Sequence, residues 1–197
     1  MIYIHGRGAD EEDLLGLSGY LDKRFMSISV RAPFPFPFSG GFTWYEITPE
    51  LGADPVMFRS SYDKLSAFVA DACAHYPIDP RRLFLFGFSM GSVMAYALSL
   101  TRPGLVRAVV ACSGYIAEGT HLTYQWDKLG GTQFFVTHGT QDPVLPVQVG
   151  RRAQELLTAG GVRHQYREYS MGHQISEESL RDIAGWLKDR LDASQED

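Results

Sequence analysis

Ser89 lies in Gly87-Phe88-Ser89-Met90-Gly91, where an apolar run changes period. An alkyl hydroxyl is a poor nucleophile near neutral pH. It becomes effective when a base takes its proton and a third group holds that base in place. The pattern G-x-S-x-G puts a serine on a strand-to-helix turn so tight that its flanking positions cannot carry bulky side chains. The pattern is short, and a Gly-Ser turn without chemistry is the plainer reading of the fragment alone. Its context favours the reactive reading, because "RLFLFG" reads as a strand and "SVMAYALSL" as a helix.

A serine so placed needs an acid and then a base, in that chain order. After the apolar run "QFFVTHG" comes "TQDPVLP", which places Asp142 in a loop at a strand's carboxyl end. Further on, "YREYSMGHQIS" places His173 in a loop before the last helix. Functional groups of open parallel sheets gather at such carboxyl-end loops. Of the other histidines, which include His121, His75 falls on a helix and His164 begins a strand. His5 and His138 each follow an apolar run as "HG", where an imidazole can pin a turn. Asp142 could also be a plain turn-former before Pro143. No H-x-H or H-E-x-x-H spacing occurs, so a metal site is not indicated. The developing oxyanion needs two backbone donors. One is the N–H of Met90, next to the nucleophile; the other belongs to the loop after the first strand, "IYIHGRGAD", where Arg7 supplies it. Only the main chain of Arg7 is required, leaving its side chain free to face solvent.

These groups must be carried by a framework. Short β-rich runs at 1–4, 25–31, 83–86, 108–112, 134–137 and 165–169 alternate with segments of helical period. Several runs are apolar at consecutive positions, as expected of strands covered on both faces. In "SSYDKLSAFVADACAHY" the residues Tyr62, Leu65, Val69, Ala72 and Tyr76 make one stripe, which stops at Pro77. "LPVQVGRRAQELLTAGG" starts near Pro146 and ends at Gly160-Gly161. "SEESLRDIAGWLKDRL" opens with Ser176 as N-cap. "DEEDLLGLSGYL" reads as a helix weakened by two glycines. The alternation predicts a mostly parallel, doubly wound α/β sheet of about six strands with helices on both faces, as a single domain over 1–197. Residues 32–58, "APFPFPFSGGFTWYEITPELGADPVMF", have no period and read as a long aromatic loop, either a pocket wall or a cover over the sheet.

Hydrophobic residues make up 45% and charged residues 21%, enough for a buried core. The formal charge of −5 argues against a nucleic-acid surface, and the basic pairs Arg81-Arg82 and Arg151-Arg152 fall near element ends. No run reaches the roughly 20 apolar residues of a membrane span. No leader pattern is visible, so a cytoplasmic protein is expected. Cys73 and Cys112 sit in apolar runs and read as buried free thiols, a disulfide between them being the other reading.

Taken together, "HGRGAD", "GFSMGS", "HGTQDPVLP" and "GHQIS" resemble the carboxylesterase/phospholipase family of α/β-hydrolases, which includes acyl-protein thioesterases. The matching motifs run from His5 to about Ser176. The resemblance implies an α/β-hydrolase fold, Ser89 as nucleophile, Asp142 as acid, His173 as base, and the Arg7 and Met90 amides as oxyanion hole. It also implies that "GGFTWYEI" lies near an acyl pocket, with Trp44 and Tyr45 lining it, and that esters of short or medium acyl chains are cleaved without a cofactor. Phe34, Phe36, Phe38, Met57 and Phe58 add apolar surface, and "GTHLTYQWDKLGG" is a second wall, a lid, or ordinary packing. Thioester or lysophospholipid cleavage is the neighbouring reading; a non-catalytic binding module on the same fold is the reading from another class. The family usually carries further strand residues before "MIYIHG". The sheet is therefore expected to be shortened at its amino-terminal edge, where an uncovered strand would favour a homodimer.

Overall fold

The computed structural model describes residues 1–38, 40–48 and 52–193. Six parallel strands form the central sheet: β1 (Ile2–Ile4), β2 (Ile28–Val30), β5 (Phe84–Phe88), β6 (Ala108–Cys112), β7 (Gln133–Gly139) and β8 (Arg163–Tyr169). Their order is β2-β1-β5-β6-β7-β8, and every neighbouring pair runs parallel. β3 (Phe34–Phe36) and β4 (Gly41–Thr43) form a separate antiparallel hairpin. Among the described residues four α-helices complete the fold: α1 (Pro55–His75), α2 (Met90–Thr101), α3 (Val147–Ala159) and α4 (Glu177–Ala193).

The consecutive apolar residues of the central strands divide between two cores. Ile2, Ile4, Leu85, Val109, Phe134 and Val136 pack with residues of α1, α2 and α3. Tyr3, Phe84, Phe86, Val110 and Phe135 pack on the other face, against Ile183, Trp186 and Leu187 of α4. α2 is buried along its whole length from Met90 to Leu100, so its apolar residues are not confined to one stripe.

Three sequence expectations are adjusted. The strand at the amino end is interior, paired on both sides, and the open edges belong to β2 and β8. The edge on that side is indeed short, since β2 has three residues, but β1 offers no free side for a second chain. The segment expected to be a helix over 10–21 is a set of turns ending in a 3₁₀ helix, Leu15–Tyr20. Gly16 and Gly19 supply no helix-favouring side chain there. The aperiodic aromatic segment is not a loop throughout: it holds the hairpin and the first turn of α1. Ser39 and residues 49–51 of it lie outside the described residues. Helix α1 starts at Pro55 because Asp54 caps it, its carboxylate accepting from Val56 N–H and Met57 N–H.

Candidate active site

Ser89 follows β5 directly and precedes α2, with φ +54° and ψ −120°. Non-glycine residues rarely adopt positive φ, and here it aims the side chain out of the bend between strand and helix. The bend is held from both sides. Ser89 N–H donates to Cys112 O of β6 at 2.8 Å, and Ser92 N–H returns to Ser89 O at 2.9 Å. A Cβ on Gly87 would lie 2.7 Å from Gly91 O, so the helix could not approach the strand if residue 87 had a side chain.

The structure brings Ser89, Asp142 and His173 together from three loops. Ser89 Oγ lies 2.9 Å from His173 Nε2, and His173 Nδ1 lies 2.7 Å from Asp142 Oδ2. An ionised carboxylate only accepts, so Nδ1 carries the hydrogen and Nε2 is left to accept from the serine hydroxyl. Two contacts bring the acid and base loops side by side: Thr140 N–H to Tyr169 O at 2.8 Å, and Gln141 N–H to Met171 O at 3.1 Å. The Phe88 ring packs on the imidazole, with centroids 4.9 Å apart. The Asp142 side chain is fully buried, while that of His173 keeps 16% of its surface exposed. Burial opposes the ionised form of Asp142. Hydrogen bonds from Leu145 N–H, His173 and Val144 N–H outweigh that cost and hold its pKa below the ordinary value.

Met90 is the first residue of α2, so its N–H belongs to the first turn, where no intrahelical acceptor exists. Its sulfur accepts from Thr43 Oγ1 at 3.4 Å, tying the elbow to the hairpin. Arg7 follows Gly6, which packs on Ser89: a Cβ at Gly6 would lie 3.4 Å from Ser89 Cβ. The Arg7 side chain does not simply face solvent. Its guanidinium pairs with Glu46 at 2.6 Å and lies 4.5 Å from the centroid of Phe36.

The expectation for Trp44 and Tyr45 needs correction. Trp44 is 2% exposed, and its indole N–H donates to His5 O at 2.9 Å, so the ring is part of the core. Tyr45 stands one layer behind a cavity, with its ring on Phe58 and its hydroxyl 3.1 Å from that of Tyr115. The cavity, of about 190 Å³, is walled by Ala53, Pro55 and Phe58 from one segment and by Tyr115, Ala117 and Leu122 from the loop after β6. That loop begins beside Ser89: a Cβ on Gly114 would lie 3.0 Å from Ser89 O. Phe58 was legible as apolar surface. Tyr115 was missed, although an aromatic three residues past the strand beside the elbow is a readable signal. Tyr124 and Trp126 are packing: Tyr124 donates to Ala117 O, and Trp126 lies against Gly160. Phe38, at the hairpin tip, is 87% exposed.

Comparison with known proteins adds a lineage to this geometry. The profile of a family described as Phospholipase/Carboxylesterase matches residues 1–191. Acyl-protein thioesterase 1 of Candida albicans is 25% identical over 95% of this chain and 90% of its own length. A probable carboxylesterase, SOBER1-like, of Arabidopsis thaliana is 29% identical over 77% of this chain, and the match spans 60% of the plant protein. Among solved structures, esterase PE8 superposes with a TM-score of 0.82 at 26% identity, covering 95% of this chain and 90% of its own. The six-stranded parallel sheet with flanking helices is the α/β-hydrolase fold.

Proposed function

Because this chain belongs to the phospholipase/carboxylesterase family, we propose that it is a serine hydrolase cleaving carboxylic esters of short- to medium-chain acyl groups. The observation that carries the reading is the unbroken chain of hydrogen bonds from Ser89 Oγ through His173 to Asp142, at 2.9 and 2.7 Å.

His173 Nε2 takes the Ser89 proton as Oγ attacks the acyl carbonyl. The tetrahedral oxyanion is held by the amides of Arg7 and Met90, each such donor contributing about 2.7–4 kcal/mol in a comparable hole. Collapse expels the alcohol, which leaves with the proton carried by Nε2. Water, deprotonated by the same imidazole, then releases the acid. Asp142 fixes the tautomer of the imidazole and stabilises the imidazolium. All the reacting groups belong to the chain, so this mechanism calls on no cofactor. Two unpaired cysteines fit the reducing cytoplasm expected from the sequence.

The volume of the neighbouring cavity supports the acyl range. An apolar cavity of about 150 Å³ takes a benzene molecule. The 190 Å³ beyond Tyr115 then suits a tail only slightly larger than a six-carbon group. The thioesterase named among the relatives gives a second reading, in which the same serine cleaves thioesters. Matched p-nitrophenyl esters and thioesters from acetyl to dodecanoyl test both. The expected optimum lies between butyryl and octanoyl, and Ser89→Ala is expected to lose on the order of 10⁴-fold or more in kcat. Turnover by folded Ser89→Ala, or failure of the wild-type serine to react with a fluorophosphonate, would overturn the proposal. The latter result would favour a binding module.

A further inference from the structure

We propose that His138, the penultimate residue of β7, is a positioning residue for Asp142 and through it for His173; the proposal rests on the hydrolase reading above. The ring is fully buried, with Nε2 2.8 Å from Leu145 O and 3.6 Å from Asp142 Oδ2. A carbonyl only accepts, so Nε2 carries the hydrogen. Nδ1 has no hydrogen-bond partner among the described residues. It faces α3, where a Cβ on Gly150 would lie 2.6 Å from it. The hydrogen-bonding tautomer is therefore Nε2–H, because a hydrogen on Nδ1 would be buried with no acceptor.

Leu145 makes the anchor useful. Its carbonyl accepts from His138, while its N–H, with that of Val144, donates to Asp142 Oδ1 at 2.8 Å. His138 thus fixes a residue whose own amide holds the carboxylate. The other carboxylate oxygen, Oδ2, accepts from His173 Nδ1. Nε2 itself lies 3.6 Å from that oxygen, too far for a hydrogen bond. A leucine would fill the same space without leaving Nδ1 unpaired. What the imidazole adds is the grip on the loop. The same geometry accounts for Gly150 inside α3, where glycine costs about 1 kcal/mol against alanine. The charged or titratable groups around the ring are Asp142 and His173, together with Glu168 of β8, which pairs with Arg151 of α3.

The test is steady-state hydrolysis of p-nitrophenyl butyrate across pH by wild type, His138→Leu, His138→Gln and Gly150→Ala. His138→Leu is expected to lower kcat on the order of 10- to 100-fold, the scale of small misplacements of catalytic groups, with little change in KM. The acid limb of kcat/KM should move to lower pH, because a carboxylate that drifts from His173 favours its protonated form less. His138→Gln keeps an N–H within reach of the Leu145 carbonyl and should regain most of the rate. Gly150→Ala displaces the ring and should follow His138→Leu. A wild-type kcat in His138→Leu overturns the proposal. So does a lowered kcat with an unmoved acid limb and no rescue by glutamine, the signature of a structural role. If His138→Leu does not fold, Gly150→Ala decides, and a wild-type rate there overturns the idea. A wild-type chain that neither turns over esters nor reacts with fluorophosphonate would overturn the hydrolase reading and this proposal with it.

Discussion

At Gly91 the nucleophile's helix touches the neighbouring strand through bare backbone: a Cβ there would lie 1.9 Å from Ile4 O and 2.6 Å from His5 O. Both oxygens belong to main chain at the end of β1 and the residue after it, so no side chain can swing aside to make room. Gly91→Ala is therefore expected to cost more than about 3 kcal/mol, in the upper range for overpacking. Thermal unfolding checks this, and a variant with wild-type Tm would show that the elbow relaxes more easily than its contacts allow. Met90, one residue earlier, should behave differently. Its part in the proposed mechanism is its amide, which any residue but proline retains. Met90→Leu keeps nearly the same volume, a swap that usually costs under about 1.5 kcal/mol. It removes the sulfur that accepts from Thr43 Oγ1. Fluorophosphonate labelling of Ser89 should proceed at close to the wild-type rate. A folded Met90→Leu protein that does not label would show that the side chain, and not the amide, is what matters.

Among elements, the β3–β4 hairpin decides how the mouth of the site is built, and its anchors differ in strength. Gly8 N–H donates to Phe42 O and Phe42 N–H to Ala9 O, both at 2.8 Å, and Ser61 Oγ donates to Trp44 O. The Arg7 clamp is half solvated: the side chains of Arg7 and Glu46 are 33% and 47% exposed. Such a pair contributes at most about 1 kcal/mol, and the cation–π contact with Phe36 about as much. Arg7→Ala should leave the hairpin docked and the amide in place, so kcat/KM is expected to fall less than about tenfold, mainly through KM. A loss as large as that of Ser89→Ala would assign the guanidinium a direct role. Which elements could be read beforehand follows from how they are buried. Strands covered on both faces show consecutive apolar residues, and 108–112 was legible to the residue. The segment over 25–31 shrank to Ile28–Val30 because Phe25 packs on Phe84 from a turn, 5.1 Å between centroids, outside the ladder. The hairpin was invisible because its partners, such as Pro35 opposite Phe42, lack the alternation of a half-buried strand. Ser89, Asp142 and His173 were legible since each follows a strand end. The cavity was not, because its two walls come from segments more than fifty residues apart, and only tertiary packing sets them face to face.

Over the whole molecule, charge is distributed in local pairs. Arg81 and Arg82 both reach Asp79, Arg151 reaches Glu168, and Arg152 reaches Glu118 and Glu155, so these basic pairs form no free stripe. Such exposed pairs add little to stability, and its dependence on pH falls to buried groups. His5 is the clearest of them. Nδ1–H donates to Gly6 O at 2.6 Å, and Nε2 accepts from Ala32 N–H at 3.0 Å, so the ring is neutral and both nitrogens are used. Burial lowers its pKa; the Gly6 carbonyl and the nearby Asp13, Asp10 and Glu11 only partly oppose this. An unfolded histidine titrates near pH 6.5. Below that pH the unfolded chain binds a proton that the folded chain refuses, so stability declines as pH falls from about 6.5 toward the folded pKa. The limiting slope for one proton is about 1.4 kcal/mol per pH unit. Asp142 works in a separate window. Its depressed pKa gives stabilisation that is complete above about pH 4 and lost only as pH falls through the folded value. Between pH 6.5 and 5 part of the decline should therefore be assignable to His5. Urea unfolding at half-unit steps, on wild type and His5→Gln, measures it. The glutamine variant, less stable at pH 7.5, should show a shallower slope over that interval. Equal slopes in the two proteins would remove His5 as the source.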